Sequence, residues 1–173
     1  METDLSREEL LRHVRDLNAE LLSLREKLRL AKDQNDWMEE AIRKRTRVLN
    51  ERVKELDAVC QAVQIVRNPD LRSAQRVGRI VDLLPKALQH PDKAAARAKL
   101  WGREFRSARF RETPWVLSEP VMVKGFPEGS VEMCCLEDLP QADEGPFLRE
   151  ERVLLKTLAE CLGAVLDAGG PDS

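Results

Sequence analysis

Four cysteines (Cys60, Cys134, Cys135, Cys161) and two histidines (His13, His90) are the soft nucleophiles and metal ligands of this 173-residue chain. They make no CxxC pair, and neither histidine stands beside a cysteine, so reduced thiols are expected instead of disulfides or a structural metal. No GxSxG, HExxH, P-loop or dinucleotide-binding fingerprint occurs. His13, among Arg12, Val14 and Arg15, reads as a solvated helix residue, and Glu150-Glu151 falls in a helix first turn, where the macrodipole accounts for it. The expectation is a protein without catalysis, metal or cofactor. Cys134 and Cys135 alternate along a predicted strand, one toward the core and one toward the surface, with redox or metalloid sensing as the lesser alternative.

Trp101, Phe105, Phe110 and Trp115 are four of the seven aromatic residues and fall within fifteen positions. Core packing of a sheet is the leading reading for them. The functional alternative is an apolar ligand pocket between sheet and helices, with Trp101, Phe105, Trp115, Met133 and Cys135 as its candidate lining. Arg103, Arg106, Arg109 and Arg111 offer a cradle for an anion. Pairing with the acidic C-terminal part is the favoured use, because residues 72–111 carry a net +8 and residues 112–173 a net −9. With a formal net charge of −2, the chain has no bulk attraction to nucleic acid or anionic lipid. No run approaches a membrane span, and Met1-Glu2-Thr3-Asp4 does not begin a signal peptide, so a cytoplasmic location is expected.

The elements that must carry these residues begin with a long helix. Leu10, Val14, Leu17, Leu21, Leu24, Leu28, Ala31, Asn35, Met38 and Ile42 follow alternating steps of four and three, a heptad seam uninterrupted by Gly or Pro. Ser6 and Glu9 fit a capping box. Asn35 places one polar residue in the seam, the device that fixes register in two-stranded coils, and a parallel homodimer is the simplest consequence. Beyond Ile42 the seam resumes as Thr46, Leu49, Val53, Leu56, Cys60 and Val63; the two successive four-residue steps make a stutter.

Asn68-Pro69-Asp70 breaks the helix. Asp70 or Ser73 is expected to cap a second one from Ala74 to Leu88, with Val77, Ile80, Val81, Leu84 and Leu88 on one face. Four strands are predicted at Ala94–Trp101, Arg103–Phe110, Trp115–Val123 and Ser130–Glu137, with a tight hairpin at Gly102 and a longer loop over Lys124–Gly129. A last helix runs from Phe147 toward Gly169-Gly170. The fold class is α+β: a long N-terminal coiled-coil helix (1–67), a small domain with a four-stranded antiparallel sheet and helices on one face (68–167), and a disordered tail (168–173).

The phrases Val53-Lys54-Glu55-Leu56, Asp70-Leu71, Arg103-Glu104-Phe105, Phe110-Arg111-Glu112-Thr113-Pro114-Trp115, Gly129-Ser130-Val131-Glu132 and Asp143-Glu144-Gly145-Pro146-Phe147-Leu148 together resemble a compact GAF-like sensory domain. The variant is a short one found beside histidine kinases and in phosphoenolpyruvate-synthase-like proteins, and the resemblance covers roughly residues 50–167. It implies a signalling coiled coil feeding paired sensory domains that bind a small molecule or a signalling partner such as a histidine kinase. The Asn-Lys pair of cyclic-nucleotide-binding relatives is absent, as is the cysteine beside a histidine of bilin-binding ones. No kinase module follows residue 167, so output is expected to pass through another protein. Without ligand binding, the same elements would serve as a structural scaffold.

Overall fold

A computed structural model describes residues 6–170. They fall into two compact units that meet between Val48 and Leu49, each treated by itself below. Helix α1, Arg7–Arg67, starts as its sequence dictates. The Ser6 N–H donates to Glu9 Oε2 at 2.8 Å and the Glu9 N–H to Ser6 Oγ at 3.4 Å, which satisfies two end donors reciprocally. In the N-terminal unit the helix makes ion pairs along its own surface, Glu26–Arg29 at 3.0 Å and Glu39–Arg43 at 3.1 Å. Its large seam side chains, Leu10 to Ile42, are 48–62% exposed in the single chain. Asn35 donates to Glu39 Oε1 at 2.9 Å.

The second unit is α+β. The end of α1 buries Ala58 and Ala62, and the Asn68 carbonyl that closes it accepts both Nε and Nη2 of Arg76. Helix α2 spans Ser73–Leu83. Its N-cap position is Arg72, not Asp70 or Ser73, and the Arg72 N–H donates to Gln75 Oε1 at 3.0 Å. The α-helix stops five residues short of Leu88, because Pro85 has no N–H and its ring collides with the carbonyl four residues back. A 3-10 turn, Leu84–Ala87, takes over and still delivers Leu84 and Leu88 to the core.

Strands β1 (Ala94–Leu100), β2 (Arg103–Arg106), β3 (Val116–Val123) and β4 (Phe126–Cys135) form one antiparallel sheet in the order β2-β1-β4-β3. Both hairpins turn on two residues with positive φ: Trp101 (53°) with Gly102 (69°), and Lys124 (50°) with Gly125 (87°). That is the turn whose twist matches paired strands. The expected Lys124–Gly129 loop is therefore strand from Phe126 onward. Pro127 is tolerated there because it lies past Gly129, the last residue of β4 to pair with β1, and Glu128 is accommodated by a bulge opposite Val121/Met122. Strand β2 ends at Arg106, four residues before the expected Phe110. Ser107 uses its hydroxyl, not its carbonyl, to accept the Ala96 N–H at 3.0 Å, which ends the ladder.

Helix α3, Arg149–Ala168, packs with α2 and the end of α1 over one sheet face. Residues 171–173 of the expected tail lie outside the described residues. Ala94, Ala96 and Ala98 of β1, Ile80 of α2, Leu84 of the 3-10 turn, and Leu155, Leu158 and Leu162 of α3 belong to one buried cluster, so helices and sheet meet in a common core. α3 also crosses β3 closely: a Cβ on Gly163 would stand 2.4 Å from the Met122 carbonyl oxygen. Gly78 in α2 has open space instead. The same substitution should thus have opposite signs at the two helical positions. Urea denaturation should show Gly78→Ala stabilising by about 0.5–1 kcal/mol and Gly163→Ala destabilising by about 1–3 kcal/mol.

Candidate functional site

Alternation along the strands places Val131, Met133 and Cys135 on the helix-facing side, with Met133 opposite Ala96 and Leu117. Met133 is fully enclosed in the core. Cys135 borders a space of about 10 Å³ together with Leu88, His90, Phe147 and Glu151, room for no more than a water. Trp101 and Phe105 meet edge to face at 6.3 Å beside the β1–β2 turn. Trp115 stands at the other corner of the sheet, where its carbonyl accepts the Cys135 N–H at 3.1 Å. All three aromatics pack partly buried against the core. The structure joins Met133 and Cys135 inside that core and leaves the Trp101–Phe105 pair and Trp115 apart.

Two larger clefts lie on the surface of this unit. One, of about 430 Å³, is lined by Gln61, Gln64 and Ile65 from α1, by Asn68 just past its end, and by Arg79, Asp82, Leu83 and Lys86. The second, of about 410 Å³, shares Asp82 and Lys86 and continues to Pro91, Asp92, Ser107 and Arg109. Neither Arg79 nor Lys86 pairs with a carboxylate among the described residues. The amides and cations can hydrogen-bond a polar ligand or an extended peptide. The first cleft was absent from the sequence reading. Its signal was there: amides at Gln61, Gln64 and Asn68 repeat at helical spacing along one side of the end of α1, beside Ile65.

The other sheet face is held by Arg97. Its guanidinium donates to Glu132 Oε2 from Nε at 2.9 Å and from Nη2 at 2.6 Å, and to Glu112 from Nη1 at 3.2 Å. The Phe110 ring covers it at 4.8 Å. Burial opposes the Arg97 charge, but the bonds to Glu132 and Glu112 hold its pKa above the usual value. Arg97–Glu132, Lys99–Glu132 and Lys93–Glu137 join the basic and acidic segments, as the charge asymmetry predicts. The arginines proposed for that role mostly do otherwise. Arg106 pairs with Glu104 on its own strand, and Arg109 donates to the Pro91 and Asp92 carbonyls at 2.8 Å. Arg111 reaches the acidic segment, at the Leu136 carbonyl.

Residues 107–113 fold across this face, so Cys134 is as buried as Cys135, contrary to the expectation of one surface thiol. Burial, aided by Glu151, pushes the Cys135 thiol up to about 11, and burial raises Cys134 too. Neither is an activated nucleophile. Glu151, expected to serve the macrodipole, is itself buried; it accepts the Gln89 N–H at 3.0 Å and the Leu148 N–H at 2.9 Å. Among the described residues no three His, Cys, Asp or Glu side chains gather as metal ligands.

No family model, curated protein or solved structure matches the chain.

Arg97→Ala should cost about 3 kcal/mol in chemical denaturation, because it strips the mostly buried Glu132 of its guanidinium hydrogen bonds and leaves it only the longer Lys99 contact at 3.7 Å; Glu112→Gln, at the exposed end of the network, should cost under about 1 kcal/mol. A raised thiol pKa stabilises the fold fully below the unfolded-state value near 9 and is lost as pH climbs toward 11. Denaturation midpoints between pH 8 and 11 should therefore fall less steeply for Cys135→Ala than for the natural chain.

Proposed function

We propose that the chain is a non-catalytic, cytoplasmic signalling adaptor. Two copies join in parallel along the Leu10–Ile42 seam, and each carries a GAF-like α+β domain that recognises a partner protein or a polar ligand. The observation that carries this reading is the uncovered seam. Of the twenty large apolar side chains exposed among the described residues, sixteen are on α1, and eight of these, from Leu10 to Ile42, keep the heptad spacing of a two-stranded coil. One seam position holds Val14, Leu21, Leu28, Asn35 and Ile42 and the other Leu10, Leu17, Leu24, Ala31 and Met38; the β-branched residues at the first and leucines at the second suit two strands, and Asn35 supplies the register.

Recognition of a partner, such as a histidine kinase, is favoured over capture of a molecule beneath the sheet. The space bordered by Cys135 there is about 10 Å³, whereas the cleft of Gln61, Gln64, Asn68, Arg79 and Lys86 is about 430 Å³ and open to solvent. A scaffold without any ligand is the second reading, and the packed core favours it. Native mass spectrometry of freshly purified protein tests the ligand: a co-purified polar molecule supports sensing, and a bare dimer removes a resident ligand from the reading.

No helix among the described residues is long and apolar enough to cross a membrane. Replacing Leu21 and Leu24 together by Lys should abolish association while the α+β unit stays folded. Four buried leucines per dimer, at about 1.5 kcal/mol each, correspond to a loss of about 10⁴-fold in affinity. Light scattering that still finds a dimer of this variant at low micromolar concentration would remove the seam from the account.

A further inference from the structure

Within the α+β unit, the last turns of α1 are apolar on two opposite sides. Ala58, Ala62, Ile65 and Val66 pack into the domain. Leu49, Val53 and Leu56 are 63–66% exposed, and Cys60 is exposed with them. At 100° per residue the two groups point roughly 150° or more apart. A helix that has satisfied one apolar face on its own domain has no structural need for a second. The exposed group also keeps the spacing of a seam, four, three and four residues, and Arg52, bonded to Glu150 at 3.1 Å, brings the start of α3 alongside, where Val153 is exposed too.

We propose that Leu49, Val53, Leu56 and Cys60 dock a second copy of this chain, parallel and in register, so that the α+β unit itself takes part in the dimer. The inference rests on the parallel dimer proposed above and extends it past the stutter. Three features select a second copy as the occupant. A heptad-spaced stripe is complementary to another of identical spacing, which a two-fold axis supplies. Charge fits as well: in a parallel, in-register pair the residue flanking one seam position faces the residue five positions on in the mate, which sets Arg52 against the mate's Asp57. Area gives the third. Aliphatic side chains bury roughly 60–120 Å² each, so four from each copy reach roughly 500–1,000 Å². That is below a self-sufficient interface of about 1,200–2,000 Å², and it suits a stripe that prolongs a longer seam.

The arrangement has a direct chemical reporter. Helices packed 8–10 Å apart, each with Cα atoms about 2.3 Å from its axis, bring directly facing seam Cα atoms to about 3.4–5.4 Å, overlapping the range a disulfide spans. Cys60 would face its own copy. Diamide, a two-electron thiol oxidant, takes two electrons and two protons from the two thiols to form the disulfide and becomes the hydrazine. With the full chain at low micromolar concentration, diamide should give a Cys60-linked dimer on non-reducing gels, lost in Cys60→Ser. It should form at least ten-fold faster than linkage through an outer-face control, Val48→Cys in the Cys60→Ser background. Leu56→Glu should slow it at least ten-fold. A second reporter, Leu24→Cys in the Cys60→Ser background, reads the coil alone. If Leu24→Cys links rapidly and Cys60 links no faster than the Val48→Cys control, the coil dimer stands and the inference falls. Rapid Cys60 linkage without Leu24→Cys linkage would uphold the stripe and overturn the coil. Failure of both reporters would overturn the two together.

Discussion

Aliphatic side chains in water set the terms for this protein. The α+β unit has its own core, closed by Ile80, Leu84, Met133, Leu155, Leu158 and Leu162. Helix α1 has sent Ala58 and Ala62 into that core and still exposes Leu10 to Ile42 on one side. An isolated amphipathic helix gains little from intrinsic propensity, and its stability comes from covering its apolar face. Within one chain nothing among the described residues covers the Leu10–Ile42 seam. Asn35 makes the same point from the polar side: alone it turns back to Glu39, and across a two-stranded seam it would meet its mate.

The sheet is organised so that its two faces do different work. Alanines at positions 94, 96 and 98 of β1 let α2 and α3 approach, and Gly163 lets α3 cross the β3 backbone at Met122. The opposite face carries charge. Arg97 there gathers Glu132, Glu112 and the Phe110 ring, and the segment that supplies Glu112 and Phe110 also closes over Cys134. One consequence is that no thiol on the sheet is exposed. Another is that the open clefts lie beside α2, where amides and cations without a carboxylate partner face solvent.

The capped long helix, its seam and the four antiparallel strands were legible because each rests on a local, repeating signal: Ser6 with Glu9, steps of four and three, strict alternation from Val131 to Cys135. The errors came where one residue changes its meaning with context. Pro127 looked like part of a loop, but a bulge and the end of β1 pairing make it harmless. Pro85 stands within an otherwise helical pattern, yet the α-helix gives way there to a 3-10 turn. Gathering of side chains was least legible. Trp101, Phe105 and Trp115 lie close in sequence, yet a sheet of order β2-β1-β4-β3 carries the Trp101–Phe105 pair and Trp115 to different corners, which spacing along the chain does not encode. The cleft of Gln61, Gln64, Asn68, Arg79 and Lys86 joins two helices by polar residues that solvent accounts for equally well in a linear reading.

Parallel pairing through α1 is the claim on which the functional reading stands, and the mass of the unmodified chain in solution tests it most directly. Sedimentation equilibrium at low micromolar concentration should return twice 19.8 kDa, constant on dilution through that range. A single species of 19.8 kDa would contradict the account, since it would leave the Leu10–Ile42 seam in water.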